Sequence, residues 1–97
     1  MKAVYIAYNQ VLTDSVLKML DTYQVRGFSL WADVQGRGSE TGEPHMGTHT
    51  WPAMNSAVLA IVKPENVQQL LDAVKAIDQK SELQGIRAFV WNIETMV

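Results

Sequence analysis

Two short apolar runs, Ala3-Val4-Tyr5-Ile6-Ala7-Tyr8 and Ser56 to Val62, are each followed by a segment whose apolar residues recur at helical spacing. The runs are β-rich and bounded by polar or turn residues, so each is read as a strand that is apolar on both faces. After the first, Leu12, Val16, Met19, Leu20 and Tyr23 share one helical face, with Thr13-Asp14 as the start and Gly27 as the expected terminator. After the second, Pro64-Glu65 suits a first helical turn, where proline loses no hydrogen bond. Val67, Leu70, Leu71, Val74 and Ile77 then form the apolar stripe of the second helix.

Two further segments complete the order. Phe28 to Gln35 alternates, with Phe28, Leu30, Ala32 and Val34 on one side and Ser29, Trp31, Asp33 and Gln35 on the other. Ile86 to Ile93 is the last strand, reached by a turn over Lys80 to Gly85. The sequence β-α-β-β-α-β predicts an α+β, ferredoxin-like (βαββαβ) chain: a four-stranded antiparallel sheet with two helices on one face. In that topology right-handed crossovers place strands one and three in the middle. Those are the two strands that read apolar throughout, as central strands should.

Two helices cover one face of four strands. With Phe28, Leu30 and Val34 given to the helices, Trp31 is left on the other face, joined by large apolar residues of the remaining strands. That is too much apolar surface for a monomer to leave in water. The expectation is a homo-oligomer packed through the open face; the alternative is a monomer whose long loop folds over it. The chain has 97 residues and no cysteine, which fits one domain over 1–97 held by packing, and excludes a disulfide scaffold, a cysteine–zinc site and a cysteine nucleophile. Net charge is −2 and the basic residues are scattered, so no nucleic-acid footprint forms. No apolar stretch approaches the ~20 residues that cross a bilayer, and the run after Met1-Lys2 is too short for a signal sequence. A cytoplasmic location is expected, with no direct membrane insertion.

The segment of about 36–55 is a long loop, and loops beyond ~12–15 residues in a small domain are usually functional or disordered. It contains Gly36, Gly38, Gly42 and Gly47, both histidines and Trp51. The Gly36-x-Gly38-x-x-x-Gly42 spacing, with Arg37, would offer backbone N–H groups and a positive charge to an anion; the alternative is that the glycines only bend the chain. His45 and His49, with Glu43, form a set that would suit a divalent metal such as zinc, copper or nickel; the alternative is two solvated or hydrogen-bonded loop histidines. Trp51 before Pro52 reads as a packing anchor at the loop base. No nucleophile-elbow spacing marks Ser39 or Ser56, and no enzymatic activity is expected.

Four pieces in this order carry a resemblance along the whole chain. They are Gly27 before strand two, Gly36-Arg37-Gly38-x-x-x-Gly42 opening the loop, Ile61-Val62-Lys63-Pro64-Glu65-Asn66-Val67 entering helix two, and Arg87-Ala88-Phe89-Val90 in the last strand. The chain resembles the PII-like signalling proteins, whose T-loop opens on a G-F-G-R-x-x-G-like segment and whose second helix follows a V-V-P-D/E-like entry. The resemblance implies a homotrimer that binds a small-molecule effector, a nucleotide or another anion, in clefts between subunits. Its output would be a loop conformation read by a partner such as a membrane transporter. Carried over by position, the effector site would comprise Gly36, Arg37, Gly38, Gly42, Gly85 and Arg87. This chain departs from the family pattern in three places. Ser39-Glu40 stands where ATP-binding members have Arg-Gln, and the phosphate loop before the last strand is reduced to Ser81-Glu82-Leu83-Gln84-Gly85. The shorter T-loop has no tyrosine. A second reading, from the divergent short-loop members and the histidine pair, is a metal-binding accessory of a transport or efflux pump.

Overall fold

The computed structural model describes residues 1–97. Its elements are β1 (Lys2–Asn9), a 3-10 turn (Gln10–Leu12), α1 (Thr13–Thr22), β2 (Phe28–Val34) and β3 (Asn55–Val62), then a second 3-10 turn (Pro64–Asn66), α2 (Val67–Lys80) and β4 (Ile86–Asn92). The strands form one antiparallel sheet in the order β2-β3-β1-β4. The two continuous apolar runs are therefore the two central strands, and the ferredoxin-like arrangement expected from the order of elements is the one present.

Both helices cover the same face. Val16, Met19 and Leu20 of α1 and Leu70 and Val74 of α2 join one core with Val4, Ile6 and Tyr8 of β1, Val58, Ala60 and Val62 of β3, and Ile86 of β4. Removing such side chains from water contributes roughly 1.5–3 kcal/mol each. One member is incompletely matched: Tyr8 is buried, and its hydroxyl has no hydrogen-bond partner. An unpaired buried hydroxyl costs about 1–3 kcal/mol. Tyr8→Phe is therefore expected to stabilise the ligand-free protein by about 1 kcal/mol, raising its thermal midpoint by roughly 4–8 °C. Urea titration and calorimetry check this, and an unchanged midpoint would mean that the hydroxyl is satisfied in solution.

The ends of the elements differ from the sequence expectation in two places. α1 stops at Thr22, and Gly27 is not the terminator. Gln24 takes the left-handed conformation (φ 59°). Its N–H donates to the Asp21 carbonyl, and the Val25 N–H donates to that of Leu20 (2.8 Å). This is a Schellman motif closed by the apolar Val25–Leu20 pair, and the packing of Val25 into the core offsets the cost of a non-glycine there.

The second difference is in β2. Phe28 through Trp31 pair in register with Ala60 through Ala57, but Val34 pairs with Asn55, so one extra residue is inserted between them. A bulge reverses which residues face which side. Val34, expected beside Phe28 and Leu30, instead shares the face of Trp31. The bulge is tied down by Gln10, whose Nε2 donates to the Ala32 carbonyl (2.6 Å) and to Asp33 Oδ1 (2.7 Å), and by Ser56 Oγ, which donates to the same carbonyl.

The opposite face has no helix. Register places Ser29, Leu59, Tyr5 and Phe89 in one row across it, Trp31, Ala57, Ala7 and Arg87 in a second, and Ile61, Ala3 and Trp91 in a third. The loop does not fold over this surface: Trp31, Ile61, Phe89 and Trp91 remain between 37% and 50% exposed.

Candidate functional site

The 36–55 segment is ordered by its own backbone into two successive lobes. Gly36 and His45 exchange both backbone hydrogen bonds (Gly36 N–H to His45 O, 2.9 Å; His45 N–H to Gly36 O, 2.6 Å), which closes the lobe 37–44. Met46 pairs with Met54, and within this pair the Gly47 N–H donates to the Ala53 carbonyl (2.9 Å). That closes a second lobe, 47–53. Its tip is a turn in which the Thr48 N–H donates to the Trp51 carbonyl (2.9 Å) and the Trp51 N–H to Thr48 Oγ1 (3.0 Å). Gly47 has φ +65°, the left-handed region that favours glycine, and a Cβ there would also displace the flexible end of the Met54 side chain. Trp51 contributes through this backbone turn while its side chain stays over a third exposed.

The root of the first lobe is fixed from the sheet end. Where β1 and β3 finish their pairing, Asn9 lies opposite Asn55. Asn55 Oδ1 lies 2.6 Å from His45 Nδ1. An amide oxygen only accepts, so the Nδ1 nitrogen carries the hydrogen. On the other side the Asn9 N–H donates to the Gly85 carbonyl (2.9 Å) and Asn9 Nδ2 to Gln84 Oε1 (3.1 Å). A strand-end pair of asparagines thus holds the loop root on one flank and the α2–β4 turn on the other. Gly85, at φ +89°, makes the reversal into β4.

Between those flanks lies a cavity of about 860 Å³. It is lined by every residue that the sequence assigned to an effector site: Gly36, Arg37, Gly38, Gly42, Gly85 and Arg87. Its floor continues onto the uncovered sheet face through Tyr5, Ala7 and Phe89. The Arg87 guanidinium sits 5.8 Å from the centre of the Phe89 ring, a cation–π contact that positions it at the rim. The glycines act differently from a three-amide anion cradle. The Gly36 N–H is engaged by His45, and the Gly42 N–H donates to Ser39 Oγ (2.9 Å). The positive charge facing the cavity comes from Arg37 and Arg87, and three carboxylates, Glu43, Asp78 and Glu82, line it as well. Glu40, which with Ser39 replaces the Arg-Gln of ATP-binding members, is not among the lining residues.

Of the candidate metal ligands, His45 and Glu43 line the cavity and His49 lies in the second lobe, away from it. No group of three His, Cys, Asp or Glu side chains comes together at metal-binding spacing. His45 is instead a structural part of the loop root. Sequence reasoning missed Asn9, Asn55 and Asp78, and met Glu82 only as part of the reduced phosphate loop. The two asparagines sit at strand ends, where a polar residue in an otherwise apolar run was the available signal; Asp78 carried none, because only the fold brings the end of α2 beside the loop.

The family model described as nitrogen regulatory protein P-II matches residues 1–97. No curated protein matches the sequence. Among solved structures, CPII from Thiomonas intermedia K12, a nitrogen regulatory PII-like protein bound to ADP, AMP and bicarbonate, superposes with a TM-score of 0.77 at 19% identity, covering 95% of this chain and 84% of that one. The same protein bound to ADP and bicarbonate gives 0.75 at 22% identity, with the same coverage. A PII-like signalling protein from Thermus thermophilus gives 0.67 at 17% identity, covering 95% of this chain and 85% of that one. At these identities the superpositions establish a shared fold, and the family match over all 97 residues establishes the lineage: the chain belongs to the nitrogen regulatory protein P-II family.

Proposed function

We propose that this protein is a non-enzymatic, cytoplasmic regulator that assembles as a homotrimer through its open sheet faces. It binds a small anionic effector, a nucleotide or bicarbonate, in the clefts between subunits and signals through the 36–55 loop to a partner, a membrane transporter. One observation carries this reading: the cavity under the loop root opens onto the same apolar face that the subunit leaves uncovered. A second copy seated on that face would supply the missing wall of the cavity. Assembly and effector binding are then one property of the surface. Arg37 and Arg87 would hold the anion, with Gly36, Gly38, Gly42 and Gly85 allowing close approach of the backbone. The first lobe carries Arg37, Gly38 and Gly42 and would respond to the effector, while the second lobe, closed by Met46 and Met54, would be the part offered to the partner. The ADP, AMP and bicarbonate bound to CPII support an effector of this chemistry.

The test combines mass in solution with ligand-induced stabilisation. Light scattering is expected to give three times the 10.9 kDa of one chain. Thermal melting against a panel of adenine nucleotides and bicarbonate is expected to show a rise, since a ligand present at about a hundred times its Kd adds about 2.7 kcal/mol to the native state. A monomer that melts unchanged against the whole panel would refute the reading.

A further inference from the structure

The chain has no cysteine, so its five methionines hold its only sulfur atoms. A hydroperoxide, which would meet a thiolate first in most proteins, finds only thioethers here. Met19 is buried in the core, while Met1 and Met96 lie near the chain ends and are 46% and 59% exposed. Met46 and Met54 belong to neither kind. Both are half-buried, and their backbones pair at the neck of the second lobe. The thioether of Met54 lies against Gly47, the first residue of that lobe: a Cβ on Gly47 would stand 3.7 Å from the Met54 Sδ and closer still to its Cε. The backbone of the neck is held from outside. Gln35 Nε2 donates to the Met46 carbonyl (2.8 Å), and the Gln10 N–H donates to that of Met54 (2.8 Å). The lobe itself is not held in this way. Thr48 and Trp51 hydrogen-bond only to each other, and Gly47 only to Ala53. The Met54 side chain is thus the packing contact that covers the entry to the lobe.

We propose that Met54 is a sulfoxidation site, and that its oxidation by a hydroperoxide releases the 47–53 lobe. The Sδ lone pair attacks one peroxide oxygen and the O–O bond breaks. The sulfur is oxidised by two electrons to the sulfoxide, and the peroxide is reduced to water or an alcohol. The product carries a polar S=O where an apolar thioether packed on Gly47. The Gly47 N–H is already given to Ala53, so the new oxygen gains its hydrogen bonds by swinging out to water. The contact that covers Gly47 leaves with it. The neck stays fastened, because Gln10 and Gln35 hold backbone carbonyls rather than the methionine side chains. The first lobe stays closed by the Gly36–His45 exchange. Methionine sulfoxide reductases reverse the chemistry, so the change can be reset. No bound ligand takes part, and the inference is independent of the effector reading.

The experiment treats the whole chain with hydrogen peroxide, locates the added oxygen by peptide mass spectrometry and follows amide hydrogen exchange by NMR. As Met54 gains one oxygen, exchange at the Gly47 and Thr48 N–H groups is expected to speed up by about tenfold, and to slow again after treatment with sulfoxide reductases. Exchange at Gly36 and His45 should not change. Met1 and Met96, being more exposed, should react first and leave the lobe unaltered. Met54→Leu, an apolar replacement of similar volume, should keep the lobe closed and abolish the response. Met46→Leu should retain it. Met54→Gln, a polar replacement that needs no oxidant, should open the lobe unaided. The inference is overturned by any of three results: exchange at Gly47 and Thr48 that is unchanged in protein fully oxidised at Met54, a response that survives Met54→Leu, or a Met54 still unoxidised once Met1 and Met96 are complete. If Met54→Leu loosens the lobe by itself, the reductase step on the unaltered sequence decides. Exchange that slows as Met54 loses its oxygen supports the proposal, and exchange that stays fast overturns it.

Discussion

Phe89→Glu is expected to turn the proposed trimer into folded monomers. Phe89 is 50% exposed in the isolated subunit and stands at the β4 end of the row that runs through Tyr5 and Leu59. Around this row the open face has an uneven relief. Ala3 and Ala57 are buried on it although no helix covers them, because Trp31, Ile61 and Trp91 stand up around them. Large side chains flanking small ones suit interdigitation with a second copy. Half of a phenylalanine side chain corresponds to roughly 100 Å² of apolar surface, or about 2–3 kcal/mol on burial. A carboxylate in its place loses that term and adds an unpaired charge to a dry seam, which costs several kcal/mol more. In the proposed symmetric assembly the change recurs at every seam, and the effect multiplies. Light scattering should fall to the mass of one chain while far-UV circular dichroism stays intact. Phe89 also lines the cavity, so effector binding should be lost in parallel. A variant that stays assembled would show that the subunits meet through another surface.

Arg87→Ala is expected to weaken binding of bicarbonate and adenine nucleotides by about 10- to 100-fold, the 1.5–3 kcal/mol typical of a hydrogen bond to a charged group. Arg37→Ala should cost less. The difference lies in how the two are held. Arg87 projects from a β-ladder, opposite Ala7, with its guanidinium over Phe89, so little ordering entropy is lost when an anion arrives. Arg37 is on the first lobe, outside any strand, and has to be ordered by the ligand. Arg87→Lys should recover only part of the affinity, because an ammonium cannot make the forked contact. Both arginines are exposed, so thermal stability without ligand should stay within about 0.5 kcal/mol. Calorimetry on the three variants decides; equal losses at the two positions would mean that the strand confers no advantage.

The fold was legible because its signals are local and repeat. Two apolar strands, two amphipathic helices and one alternating edge strand leave few topologies, and the central positions of β1 and β3 follow from their lack of polar residues. What local patterns could not show is where tertiary contacts override them. The β2 bulge is set by Gln10 and Ser56, both remote in sequence, and it moved Val34 across the sheet. The end of α1 is set by Val25 packing on Leu20, so a glutamine takes the left-handed position even though a glycine, Gly27, follows just beyond it. At the candidate site, Gly36, Arg37, Gly38 and Gly42 came from motif spacing and Gly85 and Arg87 only from the family resemblance, and all six lie around the cavity. Asn9 and Asn55 were not found, because their importance lies in facing each other across two strands. His45 and His49 looked like a pair in the sequence; the Gly36–His45 bridge sends them into different lobes.

That bridge also has a practical use. Since the chain is pinched shut at Gly36 and His45 and again at Met46 and Met54, residues 47–53 form a cassette whose two ends are held beside each other by the scaffold. Foreign segments of similar span, an epitope or a fluorophore-bearing hairpin, grafted between Gly47 and Ala53 so that this closing pair is kept, are expected to leave the floor below undisturbed. Such chimeras would turn the molecule into a sensor whose readout is chosen by the experimenter.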